Sequence, residues 1–173
     1  MWLDLHEIIE MPGTSKAFDV ELDEARLCTQ SIRGFKEPPR AQGRVENMAG
    51  VLTLRGEISA EMQCVCDRCG TLFDREKRVE LAVPLAADLP EGAESDAFPL
   101  DGNGVDLSEV LETCFILETE SRYLCREDCK GLCPICGRNL NDGTCACKPP
   151  PDSRLAVLGQ LLEPDAPEDT RGT

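Results

Sequence analysis

The chain has 173 residues and a formal net charge of −15. That is long enough for one domain with a core and a small appendage, and too acidic for a general nucleic-acid binder. Aromatics make up only 4%, so Leu, Val, Ile and Ala must build the core. No apolar run reaches the roughly 18–20 residues of a membrane helix, and the start "MWLDLHEIIEM" has acids and no Lys or Arg, unlike a secretory signal, so the expected location is cytoplasmic.

"WLDLHEII" and "KAFDVEL" read as short strands around the turn-like "MPGTS". That places the single histidine, His6, in an amphipathic strand. "SIRGFKEPPRAQG" reads as a basic loop. Leu52, Leu54, Gly56, Ile58, Ala60, Met62, Cys64 and Cys66 then fall on every second position, the mark of a strand with one buried face. Alternation resumes at Phe73, breaks at Arg75 and Lys77, and returns at Val79, Leu81, Val83 and Leu85. The pattern predicts a long antiparallel hairpin with "CDRCG" at its tip. "LPEGAESDAFPLDGNG" reads as an acidic loop or linker. "DLSEVLETCFILETE" predicts a helix with Leu107, Val110, Leu111, Cys114 and Leu117 on one face and Asp106 with Glu109 at its start. "KPPPDS" reads as an extended linker, "SRLAVLGQLLE" as a short helix, and the remainder as tail.

The expected fold class is α+β: an antiparallel β-rich domain with a long hairpin and one or two short helices, followed by a C-terminal cysteine-rich segment. The expected divisions are a β-rich domain with acidic linker and helix over 1–124, the cysteine-rich segment over 125–148, and linker, helix and tail over 149–173.

Eleven cysteines, six of them between Cys125 and Cys147, are the strongest chemical signal. A reducing compartment disfavours stable disulfides, and clustered thiols there bind metal or do redox work. Cys66-x-x-Cys69-Gly and Cys133-x-x-Cys136-Gly have the form of zinc half-sites, with the Gly free to take the positive φ such a turn needs. Cys145 and Cys147 alternate, so an extended chain points both one way. Cys125 and Cys129, four apart, share a face on one helical turn. The four pairs divide into a distal set, Cys133, Cys136, Cys145 and Cys147, and a proximal set, Cys66, Cys69, Cys125 and Cys129, for two structural Zn2+ ions. Two other divisions stand open: Cys129 in the distal set, or the two CxxCG units facing each other. Cys64 and Cys114 read as small core residues; Cys28 is unassigned.

Charge is unevenly spread. Val79 to Ser121 holds eleven acids and no Lys or Arg, whereas Ala25 to Arg55 holds six bases against two Glu. The acidic stretch suits a basic partner. Contact with RNA phosphate would fall to Arg33, Lys36, Arg40 and Arg44, and to Arg68, Arg75, Lys77 and Arg78 beside the hairpin tip. Catalytic signatures are missing from the sequence: no Gly-rich phosphate loop, GxSxG or HExxH occurs, and neither CxxCG unit opens a helix in a βαβ pattern.

A long alternating strand ending in "CDRCG", an acidic linker, a helix, and then "CREDCKGLCPICGRNLNDGTCAC" together resemble the bacterial YceD family of large-subunit ribosomal RNA accumulation proteins. The resemblance runs from Met1 to Leu162, and "DCKGLCPICGRNLN" is its most specific stretch. It implies a cytoplasmic protein needed for 23S rRNA accumulation, encoded near a small large-subunit ribosomal protein. The family's most shared unit is matched by Cys66, Arg68 and Cys69. Members without the distal cysteines imply two separable sites, and Cys28, Cys64 and Cys114 fall outside the family pattern. The resulting expectation is a non-enzymatic, zinc-stabilised factor in large-subunit biogenesis. Its partners would be a basic large-subunit ribosomal protein and precursor 23S rRNA, with no membrane and no small-molecule substrate. The alternative is a redox-sensing zinc-thiolate regulator.

Overall fold

The computed structural model describes residues 1–86 and 97–147. They fall into two compact units, one within Met1–Cys129 and the other made of the described residues from Lys130 to Cys147. The expected linker and helix after Cys147, and the first part of the acidic loop, lie outside the described residues.

The alternating pattern after residue 50 becomes β5 (Val51–Val65), which pairs along its whole length with β6 (Leu72–Ala86), from Leu52↔Leu85 to Val65↔Leu72. On the other edge of β5 lie β4 (Arg40–Met48) and, further along, β3 (Ile32–Phe35). β2 (Ser15–Glu21) pairs antiparallel with β4, and the two-residue β7 (Phe98–Pro99) runs parallel to β6. The result is a mixed, mainly antiparallel six-stranded sheet. β1 (Trp2–Asp4) and β8 (Gly104–Asp106) form a separate two-stranded pair. Alternation fixes the register: Leu54, Ile58 and Met62 face a core completed by Leu107, Leu111 and Phe115 of α3 (Leu107–Leu117), with Leu27 from α2 (Glu24–Leu27).

Three details differ from the sequence pattern. "WLDLHEII" is not one strand. It breaks at Asp4, whose Oδ1 accepts the His6 N–H at 3.0 Å, and continues as α1 (His6–Glu10). The carbonyls of Ile8 and Ile9 at its end accept from Nδ2 of the buried Asn47 at 2.6 and 3.1 Å. "SIRGFKEPPRAQG" is not one loop, because β3 and the start of β4 lie within it. The core face of β4 reads Ala41, Gly43, Val45, Asn47, two of which are polar or bare, so the alternation carries little hydropathy contrast. Finally, the buried face of α3 is Leu107, Val110, Leu111 and Phe115, while Leu117 is 75% exposed and Cys114 half-buried. Asp106 caps this helix, its Oδ1 accepting the Ser108 N–H at 3.0 Å.

The charged interruption in β6 also has a structural cause. Arg75 and Lys77 sit on its core face, opposite Met62 and Ala60. They reach the chain leaving α3: Lys77 Nζ donates to the Glu118 carbonyl at 2.6 Å, and Arg75 pairs with Glu120 at 2.6 Å. Cations there meet the negative end of the helix dipole. No helix among the described residues is long and apolar enough to cross a membrane.

Candidate metal centres

The β5–β6 hairpin ends in the turn Cys66–Gly70. The Cys66 N–H donates to the Thr71 carbonyl at 2.9 Å, and the Gly70 N–H returns to the Cys66 carbonyl at 2.8 Å. Gly70 closes the turn with φ of +71°, a conformation that costs any L side chain. The second CxxCG unit repeats this construction bond for bond. Cys133 N–H donates to Arg138 O at 2.8 Å, Gly137 N–H to Cys133 O at 2.9 Å, and Gly137 again has φ of +71°. Such a turn leaves backbone N–H groups pointing at the first sulfur.

The other half of the proximal group comes from the chain after α3. Cys125 and Cys129 do not lie on a helical turn, as their spacing suggested, but on an irregular segment with a tight turn in which Cys129 N–H donates to Arg126 O at 3.2 Å. Two residues inside the first knuckle dock this segment. Asp67 accepts the Tyr123 N–H at 2.6 Å and the Ser31 hydroxyl at 2.6 Å, while its own N–H donates to Tyr123 O at 2.8 Å. Those donors, the Ser31 hydroxyl foremost, hold the Asp67 carboxyl below its usual range. Arg68 Nη1 donates to the Cys129 carbonyl.

With both segments in place, the sulfurs of Cys66, Cys69, Cys125 and Cys129 all lie within 4.8 Å of one another. Cys66 Sγ is 3.8 Å from Cys129 Sγ, and Cys69 Sγ is 3.7 Å from Cys125 Sγ. Three of the four residues are buried, and Cys125 is partly so. In the second unit Cys133, Cys136, Cys145 and Cys147 form another group with sulfurs within 4.8 Å, but only Cys133 is buried and Cys136 is exposed. Asn141 holds this unit's loop together, its Oδ1 accepting the Lys130 N–H at 2.8 Å. Either group can hold a metal ion.

Electrostatics within the groups agree with that chemistry. Burial pushes the Cys66 thiol up, but N–H groups of Cys125, Arg68 and Cys69 outweigh it and bring the thiol down to about 6. Cys133 is likewise held at about 6, chiefly by the N–H groups of Cys136 and Ile135. Cys125 is pushed up to about 12 by burial and by the Cys69, Cys66 and Cys129 sulfurs; Cys147 rises to about 12 through Cys136 and burial. Without a cation, one charged sulfur suppresses ionisation of its neighbours. A divalent ion at the centre reverses this and favours four thiolates. Cys64 and Cys114, outside both groups, are pushed up chiefly by burial, with nearby carboxylates adding to it, and Cys28 is exposed.

The eight cations considered for RNA contact do not form one patch. On the solvent face of the sheet Arg40 pairs with Asp19 at 2.6 Å, Lys36 with Asp74 at 2.9 Å, Arg78 with Glu76 at 2.7 Å, and Arg44 with Glu46. Arg75, Lys77 and Arg68 turn to Glu120, the Glu118 carbonyl and the Cys129 carbonyl. Arg33 is exposed. The residues missed from sequence were Asp67, Ser31 and Tyr123, which dock the ligand-bearing segment. Only Asp67, inside the CxxC, carried any local signal.

The family model for the large ribosomal RNA subunit accumulation protein YceD matches residues 54–162, a span that contains both thiol groups. The chain belongs to the YceD family. An uncharacterized protein of Mycobacterium tuberculosis strain H37Rv is 25% identical over 169 residues, 94% of this chain and 75% of that protein. Two plant proteins named large ribosomal RNA subunit accumulation protein YCED homolog 1, chloroplastic, match shorter stretches. That of Zea mays is 40% identical over 53 residues, 30% of this chain and 18% of that protein; that of Arabidopsis thaliana is 34% identical over 67 residues, 38% and 21%. No solved structure matches. The YceD family name implies a role in accumulation of large-subunit ribosomal RNA, and the two thiol groups give this member metal-binding capacity.

Proposed function

We propose that this chain is a cytoplasmic, non-enzymatic factor in large-subunit biogenesis, stabilised by two Zn2+ ions and acting by binding a basic large-subunit ribosomal protein. The family match over residues 54–162 carries the reading. The donor sets support zinc. Four sulfurs about 2.3 Å from a tetrahedral zinc stand about 3.8 Å apart, and the Cys66–Cys129 and Cys69–Cys125 distances are 3.8 and 3.7 Å. Four thiolates would fill the coordination sphere, so each ion's contribution is to hold chain segments together. Charge supports the choice of partner: the chain carries −15, and Arg40 and Arg78 of the solvent face already have carboxylate partners.

The test is purification of the tagged full-length protein from its own cells at low salt, with bound protein and RNA identified, alongside the 23S to 16S RNA ratio in cells depleted of the chain. The reading expects a basic large-subunit protein that dissociates as salt rises, and a lowered ratio. An unchanged ratio on depletion rejects the role. Recovery of precursor 23S RNA, persisting after the proteins are removed, would replace the protein partner with RNA.

A further inference from the structure

The chain's single tryptophan, Trp2, is 52% exposed although it lies in a paired strand. It is also held in place. A Cβ on Gly104 of β8 would stand 2.5 Å from Trp2 Cζ2 and 2.6 Å from Cε2, so the indole lies directly against that backbone. Only glycine permits this approach. Beside the indole runs a groove of about 490 Å³ with Phe98, Pro99 and Leu100 on its wall and Asp101 and Glu109 among its lining. Asp106, also in the lining, is engaged by the Met1 amine at 2.9 Å and by the cap of α3. Asp101 and Glu109 are exposed and have no ion-pair partner among the described residues. Lys36, Arg40 and Arg78 of the solvent face, by contrast, are each engaged by a neighbouring carboxylate.

We infer that this groove binds an extended basic segment of a protein partner, with an Arg or Lys placed on the Trp2 indole and between Asp101 and Glu109. Three observations select that occupant. An apolar wall with a rigid exposed indole matches a cation whose stem is apolar. Unpaired carboxylates complement its charge and repel the phosphates of RNA or an anionic membrane. An open groove beside a short strand suits an extended chain better than a compact ion. The inference rests on the basic-partner reading above and gives that reading a site.

The single indole makes the test direct. Trp2 emission of the full-length, metal-loaded protein is titrated with a synthetic peptide of about ten residues alternating Arg with Val or Pro. A matched single-stranded RNA and arginine amide are titrated in parallel. The expected result is a saturable change with the peptide, weakening as salt rises from about 50 to about 500 mM, and little change with RNA or arginine amide. Asp101→Asn with Glu109→Gln should weaken the peptide about tenfold while the melting temperature and circular dichroism stay unchanged. Trp2→Phe, read by calorimetry, should weaken it less, because a smaller ring remains. Absence of a saturable change, equal affinity in the Asp101/Glu109 variant, or an equal response to RNA or arginine amide overturns the inference. The Asp101/Glu109 variant is also returned to depleted cells. A normal 23S to 16S ratio there, with depletion itself lowering the ratio, rejects the groove and leaves the biogenesis role standing. An unchanged ratio on depletion rejects the role, and the titration then decides the groove alone.

Discussion

The two thiol groups should differ sharply in what they do for the fold, and the difference can be worked out from chain separation. In the proximal group Cys69 and Cys125 are 56 residues apart. Tying them together removes closure entropy from the unfolded chain worth about 4 kcal/mol by the loop-length relation used for cross-links. In the distal group Cys136 and Cys145 are nine residues apart, and the same relation gives about 2.5 kcal/mol. That smaller amount falls within the second unit, because all four distal ligands lie there. For a unit of this size 1 kcal/mol moves the melting temperature by about 3–5 °C. The double variant Cys66→Ser, Cys69→Ser should therefore melt about 15 °C lower than the parent, followed by the far-ultraviolet signal of the sheet. Cys133→Ser, Cys136→Ser should leave that transition within about 2 °C. A metal chelator should reproduce the first loss in the parent and add nothing to the proximal variant. Equal losses in the two variants, or a sheet transition indifferent to chelator, would refute the reasoning.

Native mass spectrometry of the full chain should find two metal ions, identified as zinc by elemental analysis, and one in either double variant. Asn47→Leu removes donors to two carbonyls and the acceptor for Gly50 N–H; it should cost about 2–3 kcal/mol, read as a lower urea midpoint with the slope unchanged. Phe115→Ala should cost about 3–5 kcal/mol, whereas Leu117→Ala should stay within about 0.5 kcal/mol; similar costs would mean that the buried face of α3 is misplaced. Under mild peroxide, thiol labelling should show the distal cysteines oxidised before the proximal ones, because Cys136 is exposed while Cys66, Cys69 and Cys129 are buried.

Local spacing revealed much of this molecule, and long-range packing hid the rest. The hairpin was legible because β5 and β6 are half-buried strands of fifteen residues each, whose alternation is interrupted only at Arg75 and Lys77 of β6. β4 was not, because Gly43 and Asn47 occupy core-facing positions where tertiary contacts, not hydropathy, decide the outcome. His6 was misread for a related reason: three apolar residues after Asp4 fit a strand, but the bond from His6 N–H to the Asp4 carboxylate and the Asn47 side chain, 39 residues on from Ile8, favour a helical turn. In the thiol groups the spacing was enough to pair neighbours within each CxxCG unit. It could not show what brings residue 66 to residue 129. That task falls to Asp67 and Arg68, whose bonds to Tyr123 and to the Cys129 carbonyl cross more than fifty residues. Arg68 stood out from sequence as a cation for RNA; the structure gives it a carbonyl to hold.

Metal loading changes the charge as well as the fold, and the two effects can be separated. Four thiolates around a divalent ion carry two net negative charges, so two filled sites bring the formal −15 to about −19. The metal-free chain is not simply at −15, because Cys66 and Cys133 with thiols at about 6 are already ionised at pH 7. Chelation at pH 7 should therefore remove about two negative charges, one per site. The difference should grow as pH falls toward about 5, where the free thiolates take up protons and metal-bound sulfurs do not. Charge-resolved electrophoresis of loaded and chelated protein measures this directly, provided circular dichroism confirms that the second unit's chelation leaves the sheet intact in the form compared; the Cys66→Ser, Cys69→Ser variant, which isolates the distal site, serves as that form. It should lose about one charge on chelation at pH 7 and about two near pH 5. A mobility that ignores chelator at both pH values would mean that the distal sulfurs do not bind metal as thiolates. If the shift appears, the filled sites deepen the field that draws a basic partner, and the association rate of such a partner should be higher for loaded protein and converge with that of chelated protein at high salt.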